Sequence, residues 1–215
     1  MSLFIFCLSI ALLLIITLIQ YKKKSITARE KGEIGEKKVQ KAFFKGLNKE
    51  YDIFNNITVR DKYHHTTQID HIILSRYGVF VLEVKNYSGW IYAYEHKKNW
   101  IQRFPTKQIE FQNPLFQNHR HINVLKFILD STELSHSIHS VVIFSPNSTF
   151  KTSLPEQVFQ GNQWISYIKS FKDVVLTEKQ MKYIKNQILD HQLPRSEQTN
   201  DLHIKSIQKR LNEHS

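Results

Sequence analysis

The chain has 215 residues, 41% of them apolar, with six glycines and five prolines. That composition supports one core with appendages and excludes a disordered or low-complexity chain. A single cysteine excludes an internal disulfide framework and a cysteine-based zinc cluster, while a net charge of +11 and a pI near 9.6 point to a polyanionic partner, nucleic acid or an anionic membrane surface.

Residues 1–20 contain no Asp, Glu, Lys or Arg, and Leu3 to Ile19 form a nearly unbroken apolar run followed at once by Lys22, Lys23 and Lys24. The run has about the minimum length of a membrane-spanning helix. A cleaved signal peptide would carry its positive charge before the apolar stretch and a small-residue site after it. Here the charge follows, no Ala-x-Ala site precedes Lys22, and Phe6 before Cys7 does not suit lipoprotein processing. The expectation is an uncleaved single-pass anchor at 1–21, a basic linker at 22–28 and the rest of the chain on the cytoplasmic side of the cell membrane. Beyond the linker the pattern divides into a main domain at 29–150, a helical extension at 151–194 and a polar tail at 195–215.

Residues 25–48 read as a helix whose stripe of Gly35, Val39, Ala42, Phe43 and Leu47 faces a core. At roughly 100° per residue, Glu36 falls on that stripe between Phe43 and Leu47. A carboxylate there either pairs with a nearby lysine or supplies an acidic group to a buried metal site. Tyr51 to Val59 alternates as a strand, ahead of a polar loop at Arg60–Thr66.

Thr67 to Lys85 reads as two apolar strands around a short turn. With Arg76-Tyr77 as a two-residue loop, Leu74 faces Val79, Ile72 faces Val81, Asp70 faces Glu83 and Gln68 faces Lys85. These eight residues then share one face, and Ile69, His71, Ile73, Phe80, Leu82 and Val84 the other. Two carboxylates directly opposite, with Cβ atoms about 4.5–5.5 Å apart, repel. A divalent cation between them, Mg²⁺ or Mn²⁺, relieves the conflict. Lys85 would then orient or deprotonate a metal-bound water, or steady a phosphate, as in metal-assisted phosphodiester hydrolysis. The bland alternative is a solvated sheet edge with Lys85 as a neutralising neighbour.

A turn at Asn86–Gly89 precedes a second hairpin, Trp90–Tyr94 with Asn99–Gln102. Asn113 to Asp130 predicts a strong helix with Pro114 near its start, Ser137 to Ser145 a buried strand, and Gln163–Phe171 and Glu178–Leu189 two further helices. A loosely attached last helix lies in the tail. The order implies a mixed α/β sheet with helices on its faces.

The residues now carry a resemblance. Gly32-Glu33-Ile34-Gly35-Glu36, Gln68-Ile69-Asp70-His71, Gly78-Val79-Phe80-Val81, Glu83-Val84-Lys85-Asn86-Tyr87-Ser88-Gly89 and Asn113-Pro114 with Gln117 run in the order of the nuclease-related (NERD) domain. The chain resembles that domain over about residues 27–150, within the PD-(D/E)XK restriction-endonuclease-like superfamily. The resemblance implies a restriction-endonuclease-like α/β core of helix, antiparallel-rich mixed sheet, helix and strand. It also implies a metal site of Asp70, Glu83 and Glu36, with Lys85 serving the attacking water, Gln68 contacting water or phosphate, and Gln117 as a polar helix residue beside the site. Ile69 stands where the superfamily's name has proline.

Phosphate contacts would fall to basic surface residues, with Arg60, Lys62, Lys97, Lys98, Arg103 and Arg120 as candidates. Trp90, Tyr92, Tyr94 and Trp100 suit base stacking or, more simply, hairpin packing. The leading reading is a membrane-anchored, divalent-metal-dependent nuclease acting on DNA, with a homodimer favoured if both strands are cut. Its rivals are a non-catalytic, membrane-tethered nucleic-acid-binding module and an interaction protein whose charge faces anionic lipid. The histidines, including His119 and His121, lack zinc-site spacing and read as surface or loop residues. No phosphate-binding glycine loop is present.

Overall fold

The computed structural model of the chain describes residues 27–213, with side chains as far as 209. The expected membrane segment at 3–19 and the lysines after it lie outside the described residues. Among the described residues, no helix is long and apolar enough to cross a membrane.

Helix α1 (Ala28–Gly46) is shorter at both ends than its periodicity suggests. It starts on a capping box, with the Thr27 hydroxyl accepting the Glu30 N–H at 3.2 Å and the Glu30 carboxylate accepting the Thr27 N–H at 2.7 Å. Gly35, Val39 and Phe43 recur once per turn and are buried. Three antiparallel strands follow: β1 (Tyr51–Arg60), β2 (Thr66–Ser75) and β3 (Gly78–Lys85). Then come β4 (Gly89–Tyr92), β5 (Asn99–Arg103), β6 (Gln108–Gln112), α2 (Pro114–Leu129) and a 3-10 turn at Glu133–Ser137. The chain continues with β7 (Ile138–Phe144), β8 (Ser148–Phe150), β9 (Val158–Gln160), α3 (Gln163–Ser170), α4 (Glu178–His191) and α5 (Glu197–Glu213).

The single sheet expected from sequence is two. The larger runs β1-β2-β3-β7-β9, with β7 and β9 parallel to β3; the smaller runs β6-β5-β4-β8. The β4–β5 hairpin matches its expectation, pairing Trp90 with Arg103 and Tyr92 with Ile101. Strand β6 was not expected, although Gln108-Ile109-Glu110-Phe111-Gln112 alternates as a strand does; it is five residues long and mostly exposed, and β8 and β9, at three residues each, are too short to show a period. Trp100 is core, fully buried and stacked on Phe144 at 5.9 Å. The polar tail holds α5, which docks through buried Ser206: its hydroxyl accepts the Thr66 N–H at 3.0 Å.

The two-residue turn holds, with Ser75 facing Gly78 and the register running to His71 opposite Leu82. Gly78 takes φ +143°, and a Cβ there would meet the Ser137 carbonyl at 3.0 Å. Both faces of the hairpin are buried. Ile72, Leu74, Val79 and Val81 pack on Leu125 and Leu129 of α2 and on Ile184 of α4. Ile73, Phe80 and Leu82 pack on Phe43 of α1 and Trp164 of α3.

The strict alternation fails further on. Ile69, Ile57 and Val59 join the cluster of Ile72 and Leu74, although odd-numbered Ile73, Tyr51 and Ile53 belong to the opposite one. Strands β1 and β2 therefore exchange faces together, at a point flanked by the Asn55–His71 and Ile57–Ile69 pairs. Asn56 sits there with φ +52°, a left-handed conformation that asparagine tolerates.

Buried Asn113 locks α2 to the second sheet. Its amide donates to the carbonyls of Glu95 at 2.9 Å and Lys97 at 2.8 Å, and its Oδ1 accepts the Leu115 N–H at 2.9 Å. Asn113→Ala removes a helix N-cap and leaves two carbonyls without that donor. The expected cost is about 2–4 kcal/mol, read as a lower urea midpoint with an unchanged m-value.

Candidate active site

The site forms where β2 leaves β3. Pairing between them stops at His71–Leu82, while β3 stays paired with β7 as far as Lys85–Phe144. Asp70 therefore does not face Glu83 across a ladder, contrary to the even register expected. Its carboxylate enters the gap instead, and Oδ2 accepts the Val84 N–H at 2.7 Å. Gln68 likewise does not face Lys85; its amide donates to Asn56 Oδ1 at 3.1 Å. The exchange of faces at Asn56 is the physical cause of both departures.

Glu83 and Lys85 point to the α2 side. Glu83 is 1% exposed, and its Oε1 lies 2.6 Å from Lys85 Nζ. Lys85 Nζ also donates to Gln117 Oε1 at 3.0 Å, so the expected helix glutamine does reach the site. One turn further along α2, His121 is buried, and its Nδ1 stands 3.5 Å from Glu83 Oε2. Placing His121 on the surface was wrong. Residues 117 and 121 share the helix face packed on β3, a contact that sequence spacing alone does not encode, although a helix start at Pro114 puts both on one face.

Glu36 approaches from α1, half-buried, and the Asn56 side chain donates to its carboxylate. A polar chain thus links Gln68 through Asn56 to Glu36. Asn56 was missed by sequence reading; its one signal was an asparagine pair inside an apolar strand. His71 is buried with Nδ1 2.7 Å from Asn55 Oδ1. Burial lowers its pKa to about 4 against a small opposing pull from the Glu36 carbonyl, so the imidazole is neutral.

Burial, then the charges of Glu83 and Glu36, raise the Asp70 carboxyl well above the usual range, outweighing the Val84 N–H and Lys85. Burial also raises Glu36, helped by Glu33 and Glu83. For Lys85, burial works to lower the pKa, yet Glu83, Tyr87 and Asp70 together hold it above its ordinary value. Lys85 is therefore an ammonium, suited to orient or to stabilise negative charge and not to remove a proton.

Among the described residues, no three His, Cys, Asp or Glu side chains are gathered into a ready-made metal cage. Asp70 and Glu83 nonetheless fit a hard divalent cation. Both offer carboxylate oxygens, the repulsion at Asp70 is only partly offset by the Val84 N–H and Lys85, and Glu83 Oε2 is buried without a hydrogen bond.

The basic candidates scatter. Lys62 and Arg120 line a separate cleft of about 920 Å³ that also holds Asp61, Asp130 and Glu133. Arg60 is exposed and reaches the His64 carbonyl, and Arg103 is exposed on β5. Trp90 and Tyr94 remain exposed, each beneath a lysine, Lys151 and Lys97.

A carboxyl whose folded pKa lies above its unfolded one binds a proton that the unfolded chain releases. Its stabilising contribution is present below the ordinary Asp range and is lost as pH rises through the folded value. Asp70→Asn, which mimics the protonated acid, is therefore expected to raise the melting temperature in EDTA near pH 8, by an amount that shrinks towards about pH 4. Thermal denaturation across that range checks the sign; a lower melting temperature at every pH would contradict it.

A family model described as the nuclease-related domain, NERD, matches residues 31–145. An uncharacterized protein of Bacillus anthracis is 37% identical to this chain over 163 residues, covering 74% of this chain and 76% of the relative. The fold-positioned Asp70, Glu83 and Lys85 fall inside the matched segment, and the chain belongs to the nuclease-related domain family.

Proposed function

We propose that the chain is a divalent-metal-dependent nuclease of the PD-(D/E)XK type. Its substrate on this reading is the phosphodiester backbone of DNA, and residues 3–19 anchor it to the membrane. The observation that carries the catalytic reading is the convergence of a strained carboxyl, Asp70, with the buried Glu83–Lys85 pair at 2.6 Å. Family membership makes a nuclease-related function the natural context.

Asp70 and Glu83 would hold the cation, with Glu36 completing the acidic set through its link to Asn56. A bound Mg²⁺ or Mn²⁺ would supply Lewis acidity at the phosphorus-bound oxygens. Lys85, kept protonated by its acidic neighbours and oriented by Gln117 Oε1, would donate to the phosphate or to the incoming water. His121 stands behind Glu83, its Nδ1 3.5 Å from Oε2. The buried, low-dielectric setting makes each of these charges count for more than it would in water.

One observation favours a second reading. Glu83 Oε1 is already engaged by Lys85, and the described residues form no three-ligand cage, as a non-catalytic nucleic-acid tether would allow. The two readings separate on cleavage of supercoiled, linear and single-stranded DNA by the full chain with Mg²⁺ or Mn²⁺. For the nuclease, Asp70→Asn and Lys85→Ala should each lower the rate at least about 100-fold. Metal-independent DNA binding that neither substitution alters, without cleavage, would establish the tether. Mg²⁺ at about 100 times its dissociation constant should also stabilise the wild-type fold by about 2.7 kcal/mol, and that gain should vanish in Asp70→Asn.

A further inference from the structure

A second cleft, of about 470 Å³, opens directly beside Lys85. Its lining brings Lys38, Lys41 and Lys45 of α1 together with Lys85, Asn86 and Ser145, and includes no Asp or Glu. The three helix lysines are exposed, follow one another at i, i+3 and i+7 on one face, and have no ion-pair partner among the described residues. They extend over about 10 Å of helix. The larger cleft near Lys62 mixes Asp61, Asp130 and Glu133 with its bases, so it lacks this uniform sign.

The row is held in place by close packing. A Cβ at Gly35 would come within 2.6 Å of Asn86 Cβ and 3.3 Å of Val84 Cγ1. The glycine lets α1 press against the end of β3, which fixes the lysines relative to Lys85. The cleft lies on the α1 face of β3, with Val84 and Ile143 in its lining, while the Lys85 side chain turns to the α2 face. Its uniformly positive, concave form suits a chain of phosphates better than a flat lipid surface does.

We infer that Lys38, Lys41 and Lys45 form a phosphate track that holds the backbone of a nucleic-acid strand on the α1 side of the end of β3. The inference deepens the nuclease reading and rests on it for nucleic acid as the ligand. The track binds backbone and not bases, so it confers affinity without sequence preference.

The test is binding of a fluorescein-labelled single-stranded DNA 20-mer to the full chain in EDTA, which removes cleavage from the readout. Affinity is followed over a salt series by anisotropy. Neutralising the row as Lys38→Gln/Lys41→Gln/Lys45→Gln should make the log–log salt dependence shallower by about 2 and weaken binding about tenfold or more. Lys179→Gln/Lys182→Gln/Lys185→Gln removes the same charge from α4, which lies by Leu74 and Arg76 at the turn end of the hairpin. That variant should leave the slope near the wild-type value.

Equal slopes for both triple variants would overturn the track. So would a row variant that keeps its oligonucleotide affinity but loses binding to phosphatidylglycerol vesicles, which would assign the row to the membrane. The two readings fail separately. Metal-dependent cleavage with a row-independent salt slope sinks the track alone, and row-dependent binding without any cleavage sinks the nuclease reading while the track stands.

Discussion

The arrangement of this molecule turns on the parting of β2 from β3 after the His71–Leu82 pair. Up to that point the hairpin is an ordinary two-sided core element, its faces sealed by α1 and α3 on one side and by α2 and α4 on the other. Beyond it, a backbone N–H at Val84 needs a partner, and a carboxylate supplies one. Asp70 is thereby drawn in towards Glu83, a position that would be costly for two ionised acids. The cost is visible as an Asp70 carboxyl held well above its usual range and a Lys85 ammonium held in place.

The flanking helices position the rest. Asn113 caps α2 and grips the β4–β5 turn at once, so Gln117 and His121 arrive at the Lys85–Glu83 pair from a fixed origin. Asn118, one residue on from Gln117, donates to the Val81 carbonyl and the Ser140 hydroxyl at 2.8 Å each, pinning the same helix to β3 and β7. Opposite, Gly35 lets α1 close on Asn86 and carries Glu36 to Asn56. The Asn113-Pro114 and Gly35-Glu36 pairs that stand out in the sequence thus have mechanical roles: they place helices against strand ends.

Much of this was legible beforehand. Helix α2, the two-residue turn at Arg76-Tyr77, the two buried faces of the hairpin and the nearness of Glu83, Lys85 and Gln117 follow from periodicity, turn chemistry and motif order. The split into two sheets was not predicted: the Gln-Ile-Glu-Phe-Gln alternation of β6 was its one available signal, and β8 and β9 are too brief to show any. Nor was the exchange of faces at Asn56. Alternation assumes extended backbone throughout, and a single left-handed residue reverses it without changing the register. His121 and Asn56 were hidden for a related reason, since their partners lie on other elements.

The central claim is that burial, with Glu83 and Glu36 beside it, raises the Asp70 carboxyl well above its usual range, so that a divalent cation bound there would displace a proton. Titration calorimetry of Mn²⁺ into the full chain, repeated in buffers of different ionisation enthalpy near neutral pH, tests this directly. Metal binding that releases protons in the wild type, with both the binding and the release lost in Asp70→Asn, is the predicted result. Binding without proton release, or equal binding by Asp70→Asn, would contradict it.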